Sequence, residues 1–210
     1  MCSSDLRWIQ GGLLQGLNSK AVAAARPAAD LSLKAVAVGR PEGPPPLPGP
    51  LSLDPPVRAR ANPAIVALAH SPWAPVLAAS GARQVVLHRS DTLEFVGALP
   101  FAEGSVHDLR FSRNGRLLLA AGGRGGHSGV VALWDVTTGQ RVAVIGDQYD
   151  SVLVADVSAD QQWVALGGPD RVLKIYRTRD AGLEHRIRKH TDWVTAVGVS
   201  PDGRMLASGD

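Results

Sequence analysis

Ser200-Pro-Asp-Gly-Arg-Met-Leu-Ala, residues 200–207, is the last copy of a sequence pattern that occurs four times in this chain of 210 residues. Ser71, Ser112 and Ser158 begin the other copies, so that successive serines are 41, 46 and 42 residues apart. Self-similarity at a period of about 40–45 residues indicates that one supersecondary unit is repeated and that its copies bury one another. The repeat therefore decides the fold of the chain.

The second copy shows how one unit is built. Val106–Phe111 alternates apolar and polar residues, which predicts a half-buried strand. Asn114-Gly115 follows, and this dipeptide is the strongest short hairpin signal because both residues tolerate a positive φ. The apolar run after it suits a sheet that is covered on both faces. Four antiparallel strands in about forty residues make one propeller blade, and the later three are expected at Leu117–Ala121, Val130–Asp135 and Gln140–Ile145.

The other copies repeat this order and predict an all-β propeller, of which the chain supplies three four-stranded blades and half of a fourth. A helical interpretation fails because the apolar runs are four to six residues long and are interrupted by Gly, Pro or Asn. The expected strands are Ile65–Leu68, Val76–Ala79, Val85–Leu87 and Phe95–Leu99 in the first copy, Ser151–Val157, Trp163–Gly167, Val172–Tyr176 and Leu183–Ile187 in the third, and Val194–Val199 and Met205–Ser208 in the fourth.

The chain resembles the WD40-repeat family over residues 61–210. Trp134-Asp135 is the dipeptide that closes the family's repeat. Residues 200–209 are close to the sequence that is commonest in the family's second hairpin, and His190 occupies the position of the family's loop histidine. The resemblance implies that His190 and Ser208 belong to a hydrogen-bonded network whose Trp and turn Asp lie beyond Asp210. It also implies a non-enzymatic scaffold for protein–protein interaction.

Two blades depart from the family's pattern. Ile175-Tyr176-Arg177 and Leu87-His88-Arg89 stand where Trp-Asp is usual. The resemblance therefore does not carry the buried network into blades one to three.

Residues 1–26 precede the repeats. Leu6–Gly12 ends in a Gly pair and predicts a short N-terminal helix with its stop signal. It resembles the last helix of small c-type cytochrome domains that precede WD40 repeats in some bacterial proteins, which implies the tail of a haem c domain; an ordinary terminal helix is the alternative. The haem-attachment motif Cys-x-x-Cys-His is absent from these residues. Met1–Leu6 is what a common sequencing-library adapter encodes when read from GTG, and we hypothesise that these six residues are artefactual.

Residues 27–60 are expected to be a linker. Pro41–Pro56 holds eight prolines in sixteen residues, and because proline lacks the amide donor this stretch suits a semi-rigid extended chain. A recognition site for a proline-binding module is the alternative. Ala29–Val38 alternates and is expected to add a strand.

Composition excludes several classes. Cys2 is the single cysteine, so no disulfide framework or zinc site can be built from cysteines. No run of 18 apolar residues occurs, and residues 1–20 lack the pattern of a signal peptide. The compartment is expected to be the periplasm if the cytochrome resemblance holds and the cytoplasm otherwise.

The net charge of +3 comes with 18 Arg against 4 Lys, and Arg177–Lys189 is the densest basic stretch. A site for nucleic acid would need aromatic platforms among these charges, and only Tyr176 is near. We therefore expect a solvated edge that blocks edge-to-edge pairing and no nucleic-acid partner, with a phosphate-binding patch as the alternative.

Catalytic motifs are scarce. The glycine-rich residues 122–129 lack the Lys and the helix of a phosphate-binding loop, so we expect an elongated flexible hairpin loop that lengthens the second repeat. His107, Asp108 and Ser112 have the composition of a triad, but neighbours in a strand point to opposite faces and cannot orient each other. No cluster has metal-ligand spacing, so we expect no catalytic, cofactor or metal site.

Alignment of the repeats places the loops before each first strand on one face of the propeller. Exposed Trp and Tyr beside charges are typical of interaction hot spots; the alternative is that the Trp packs on a neighbouring blade and the aspartates cap turns. An enzyme with a hydrolase or redox site in the central channel remains the second functional hypothesis, with Asp108 and Asp156 as its inner-strand carboxylates. The candidate interaction face comprises Arg124, His127, Asp147, Tyr149, Asp150, Asp192 and Trp193.

Overall fold

The computed structural model describes residues 43–53 and 64–210 in full and residues 7–10 by their backbone. Fifteen strands occur in these ranges. They are β1 Arg7–Gln10, β2 Leu68–His70, β3 Val76–Gly81, β4 Gln84–Arg89, β5 Phe95–Pro100, β6 Ser105–Phe111, β7 Leu117–Arg124, β8 Ser128–Asp135, β9 Arg141–Gln148, β10 Val154–Val157, β11 Trp163–Gly167, β12 Leu173–Arg177, β13 Leu183–Ile187, β14 Ala196–Val199 and β15 Met205–Gly209.

Each repeat is one antiparallel meander. Strands β2–β5, β6–β9 and β10–β13 form three four-stranded sheets in chain order, and β14 and β15 begin a fourth. The predicted all-β architecture of three blades and half of another is confirmed. The innermost strand of each blade is its first, since β6 lies beside β2 and β10 lies between β6 and β14. No helix in the described part of the chain has the length and apolar character needed to cross a membrane.

The N-terminal helix is corrected by the structure. Arg7–Gln10 is the strand β1, which pairs antiparallel with β15 and sets Arg7 opposite Ser208. The outer edge of β15 offers unpaired backbone groups, and a strand satisfies them at once, whereas four residues are too short to stabilise a helix. Met1–Leu6 and the strand expected at Ala29–Val38 lie outside the described residues.

The serine of the repeated phrase closes the first hairpin of each blade. The Ser112 hydroxyl accepts a hydrogen bond from the Leu117 amide at 2.9 Å and donates one to Asn114 Oδ1 at 2.8 Å. Ser158 and Ser200 accept the corresponding amides at 2.9 and 2.8 Å. Only Gly115 of the Asn-Gly pair has a positive φ, so Asn114 serves through its side chain and not through an unusual backbone.

The glycine-rich segment is a regular hairpin and not the flexible loop that the sequence suggested. Strands β7 and β8 continue through it until Arg124 pairs with Ser128. Glycine is required because other backbone approaches closely: a Cβ at Gly122 would lie 2.0 Å from the Ser105 oxygen, and one at Gly129 would lie 2.0 Å from the Asp150 oxygen. The extra residues lengthen two strands, and this lengthening explains the long second repeat.

The hydrophobic core lies in three seams between blades. Leu87 and Trp134 belong to the seam between blades one and two, Leu119 and Tyr176 to the second seam, and Val194 to the third. A blade has apolar residues on both faces, so its neighbours must cover them. Burial in the seams is therefore what fixes the blades relative to one another.

Two aspartates link the innermost strands across these seams. Asp108 Oδ2 accepts a hydrogen bond from the Ala155 amide of blade three at 3.2 Å, and Asp156 Oδ2 accepts one from the Val199 amide of blade four at 2.8 Å. Burial raises the pKa of Asp156, against the opposing effect of its hydrogen bonds from backbone amides. Both carboxylates thus tie one blade to the next.

Part of the proline-rich segment lies against the blades. The Gly49 amide donates to the Thr137 oxygen at 2.8 Å, and the Ala98 amide donates to the Ser52 oxygen at 3.2 Å. The half-buried Leu51 packs on the seam between blades one and two. Residues 43–53 therefore have fixed contacts with both blades. The domain boundaries at residues 26 and 60 stay a prediction.

Exposed apolar side chains on blade one predict that the 210-residue chain self-associates when it is expressed alone. Ile65, Val66 and Leu68 are each more than 60% exposed, and such a patch favours association. Light scattering after size exclusion should show oligomers or aggregates, and Leu68→Ser combined with Val66→Ser should reduce them. A monodisperse, cooperatively unfolding monomer would contradict this prediction.

Two substitutions of Asp156 should separate the contribution of its hydrogen bonds to the free energy of unfolding from the unfavourable contribution of its buried charge. Asp156→Ala leaves the Val199 amide without its acceptor and should lower the free energy of unfolding by about 1–3 kcal/mol. Asp156→Asn keeps an acceptor for the Val199 amide but loses the one for the Val157 amide, so at neutral pH it should lower the free energy of unfolding less than Asp156→Ala does. Urea unfolding followed by tryptophan fluorescence measures both.

The pH dependence of the same variants has a defined sign. Because the pKa of Asp156 is raised in the folded chain, its contribution to stability is present below the unfolded-state pKa and is lost as the pH rises through the folded-state pKa. The free energy of unfolding of Asp156→Asn should lack this decrease. The variant should therefore become more stable relative to the wild type as the pH rises. An unchanged pH profile would show that Asp156 carries no buried-charge cost.

Candidate functional site

Both side chains of the Trp134-Asp135 dipeptide make contacts that stabilise the fold. Trp134 is 1% exposed and packs 6.5 Å from Phe101, with the Arg141 guanidinium 5.6 Å from its ring centroid. Asp135 accepts hydrogen bonds from the Thr137 amide at 2.9 Å and from Arg116 Nε at 3.2 Å. Burial acts to raise the pKa of Asp135, but hydrogen bonds from the Thr137 hydroxyl, from Arg116 and from the amides of Thr137 and Thr138 outweigh it and lower the pKa. Both side chains stabilise blade two and its last turn.

His190 lies in a hydrogen-bonded group at the start of blade four. Its Nε2 is 2.8 Å from Ser208 Oγ, and its Nδ1 is 3.4 Å from Asp210 Oδ1. The other oxygen of Asp210 accepts the amides of Thr191 at 2.8 Å and Asp192 at 3.0 Å. These amide bonds, together with His190, hold the pKa of Asp210 well below its usual range. Sequence reasoning placed the acid of this network beyond Asp210 and so missed Asp210 itself.

The loops that lead into blades three and four repeat one arrangement. Asp150 Oδ1 accepts the Ser151 amide at 2.8 Å, and Asp192 Oδ1 accepts the Trp193 amide at 2.8 Å. Both aspartates therefore cap turns, while the aromatic residues beside them face outward. Tyr149 is 79% exposed and Trp193 is 53% exposed. The leading loops thus present two aromatic side chains on a hydrogen-bonded backbone.

Hydrogen bonds join these loops to the hairpins of the preceding blades. The Gly126 amide, between the exposed Arg124 and His127, donates to Asp150 Oδ1 at 3.1 Å. Arg171 Nη1 of blade three donates to the Thr191 oxygen at 3.1 Å. The β7–β8 hairpin, the two leading loops and the β11–β12 loop therefore form one continuous face. It carries six of the seven residues of the candidate interaction face, and the seventh, Asp147, lies near the end of β9 beside it.

A cleft of about 460 Å³ opens in this face, between the end of blade two and blade three. It brings together three of the predicted residues, Asp147, Tyr149 and Asp150, whereas Arg124, His127, Asp192 and Trp193 lie outside its lining. Arg186 and Arg188 of the basic stretch Arg177–Lys189 also line the cleft. The sequence indicates this basic stretch but does not place it beside the candidate face. The other polar residues that line the cleft are Gln148, Ser151, Asp170 and Lys174.

Polar side chains form a connected network at the cleft. Gln148 Nε2 donates to the Tyr176 hydroxyl at 3.1 Å, and that hydroxyl donates to Asp147 Oδ1 at 3.5 Å. Lys174, whose side chain is 14% exposed, donates to Gln148 Oε1 and pairs with Asp170. Burial, reinforced by the charge of Asp147, raises the pKa of Tyr176 to about 12. The hydroxyl therefore stays protonated and acts as a hydrogen-bond donor.

The residues that composition suggested for a triad are not arranged as one. A β-bulge lies at His107, between Val106 and Asp108. Burial lowers the pKa of His107, and the Asp108 carboxylate accepts amides of Leu109 and Ala155. Within residues 43–53 and 64–210, no three His, Cys, Asp or Glu side chains are grouped to hold a metal ion.

Comparison with known proteins agrees with the geometry. The family model "WD domain, G-beta repeat" (WD40) matches residues 94–135 and 182–210. The first match ends at Asp135, and the second contains His190 and the last copy of the repeated phrase. These matches support assignment to the WD40 family.

Curated relatives match parts of the chain, and one of the two described here carries WD repeats in its name. The chain is 26% identical over 119 residues to the DENN domain and WD repeat-containing protein SCD1 of Arabidopsis thaliana, covering 57% of this chain and 10% of that protein. It is 33% identical over 84 residues to a guanine nucleotide-binding protein subunit beta of Zea mays, covering 37% and 22%. The chain thus spans less than a quarter of either relative.

Loss of the Asp210 carboxylate should loosen the loop that carries Trp193. Asp210→Ala removes the acceptor of the Thr191 and Asp192 amides, so their hydrogen exchange should become several-fold faster. Asp202→Ala, in the neighbouring turn, is the matched control and should leave exchange in residues 190–194 unchanged. Equal exchange in wild type and Asp210→Ala would show that Asp210 does not hold this loop.

Proposed function

We propose that this chain is part of a non-enzymatic WD40 scaffold that binds protein partners through the face formed by its leading loops. The observation that carries the proposal is the pairing of a rigid backbone with exposed aromatic residues. Tyr149 and Trp193 are 79% and 53% exposed, although the aspartates beside them fix their loops by hydrogen bonds. Aromatic residues presented in this way are typical of interaction hot spots.

The contacts of the inner strands support a scaffold over an enzyme. A hydrolase or redox site in the central channel needs carboxylates that are free to act on a substrate. The carboxylates of Asp108 and Asp156 accept backbone amides of the next blade instead. The charged groups of the face, moreover, are spread over two loops and a cleft and do not converge on one reacting atom.

Attachment of a c-type cytochrome domain, with haem c and a periplasmic location, is the finer form of this proposal. It rests on the resemblance of Leu6–Gly12, whose residues Arg7–Gln10 form a strand here. The full open reading frame tests it: Cys-x-x-Cys-His and a signal peptide upstream would support a bacterial electron-transfer scaffold. Without them the scaffold proposal remains and the haem proposal fails.

Substitution of the two exposed aromatic residues tests the scaffold proposal. Each of Tyr149→Ala and Trp193→Ala should cost about 2 kcal/mol of binding free energy if these residues are hot spots, which is about 30-fold in affinity. Crosslinking mass spectrometry of the full-length protein in its own cells identifies partners at the face, and titration with a purified partner gives the affinity.

Phe95→Ala is the matched control, because Phe95 is an aromatic residue of blade one that is 39% exposed. Its partners and affinity should equal those of the wild type. If the variants at Tyr149 and Trp193 keep every partner at full affinity, the face is not the binding surface.

A further inference from the structure

We propose that the cleft beside blade three recognises an extended acidic segment of a partner protein, with Arg186 and Arg188 each binding one Asp or Glu carboxylate. This inference rests on the proposed scaffold function and names the chemistry of its partner. It starts from an unusual pairing of charges within a sheet.

Lys174 and Arg186 are directly opposite each other in the β12–β13 ladder. Opposite residues have Cβ atoms about 4.5–5.5 Å apart, and like charges in such a pair destabilise a sheet. Lys174 is neutralised by Asp170. Arg186 has no ion-pair partner among the described residues, so the ladder holds a positive charge at a cost that an anion would offset.

The fold does not require charges at this position. The corresponding pair is Val86 and Ala98 in blade one and Ala132 and Val144 in blade two. Only blade three, which borders the cleft, replaces these small or apolar residues by two cations. The charges are therefore a local feature of the cleft and not of the repeat.

Arg188 extends the basic strip along the same wall. It lies two residues beyond Arg186, and both line the cleft. Arg188 is the first residue after β13, which ends at Ile187. Alternate side chains of an extended peptide lie on one side, about 6.6 Å apart, so one peptide can present a carboxylate to each arginine. The planar guanidinium fork binds a carboxylate with two hydrogen bonds, so two arginines at this spacing suit acidic residues at alternate positions.

The acidic residues of the cleft are already engaged, and they favour a carboxylate over a phosphate. Asp150 accepts two backbone amides, Asp147 accepts the Tyr176 hydroxyl, and Asp170 pairs with Lys174. They leave the arginines available but keep negative charge nearby. A phosphate group, with a charge of about −2, is repelled more strongly by these neighbours than a carboxylate is. The exposed Tyr149, which also lines the cleft, offers an apolar surface to the peptide's intervening residues.

Fluorescence anisotropy of the full-length protein with a labelled peptide of alternating Glu and Val tests the inference. The peptide should bind, binding should weaken as salt rises, and a Gln-for-Glu peptide should bind at least about tenfold more weakly. Because this comparison uses the wild-type chain, it does not depend on the folding of any variant. Equal binding of the two peptides would overturn the inference.

Variants then locate the site. Arg186→Ala with Arg188→Ala should reduce affinity at least about tenfold, and the corresponding Lys pair should restore part of it. Arg179→Ala, which removes an exposed arginine at the opposite end of the same hairpin, is the matched control and should bind normally. Undiminished binding by the alanine pair, or tighter binding of a phosphoserine peptide or of single-stranded DNA, would overturn the inference. The variants at Tyr149 and Trp193 test the scaffold proposal separately, with partners from cells.

Discussion

Each blade of this chain depends on its neighbours for the burial of both its faces. The large buried side chains, among them Leu87, Leu119 and Trp134, lie in the seams between blades and not within one sheet. Burial of apolar surface is the main favourable term in folding, so the seams hold most of the stabilisation. A carboxylate within each of two seams adds a directional bond to the next blade's backbone. These contacts fix where every loop of the face lies.

The fold follows from the sequence because its signals are local. Short apolar runs end at Gly, Pro or Asn. The serine hydroxyl of repeats two, three and four accepts the amide five residues later, and that of the first repeat accepts the amide three residues later. Such hairpins need no knowledge of distant residues. The strand β1 could not be found in this way, because its partner β15 is almost 200 residues away. The prediction of a flexible loop at residues 122–129 is wrong because glycine here permits close approach of other backbone and does not serve flexibility.

The candidate site was predicted in part for the same reason. Alignment of the repeats places Asp150 and Asp192 at equivalent positions, and the structure gives both the same cap. The cleft and its basic wall arise instead from strands that meet only after folding. Lys174 and Arg186 are twelve residues apart, and their pairing depends on the register of β12 and β13. The sequence showed a basic stretch but not which of its charges share one face.

The departures from the repeat pattern are where the site is built. In the first seam, Trp134 packs on Phe101 and the contact is aromatic. In the second seam, the equivalent of Trp134 is Tyr176, whose hydroxyl reaches Gln148 and Asp147 at the edge of the cleft. One replacement therefore keeps an aromatic ring in the core and supplies a polar group above it. Gln148 also accepts a hydrogen bond from Lys174. The Tyr176 hydroxyl therefore helps, through Gln148, to hold Lys174 in place at the cleft. In blade three, Tyr176 therefore stands in place of the tryptophan. Its ring keeps the seam apolar, and its hydroxyl contributes to the polar cleft above the seam.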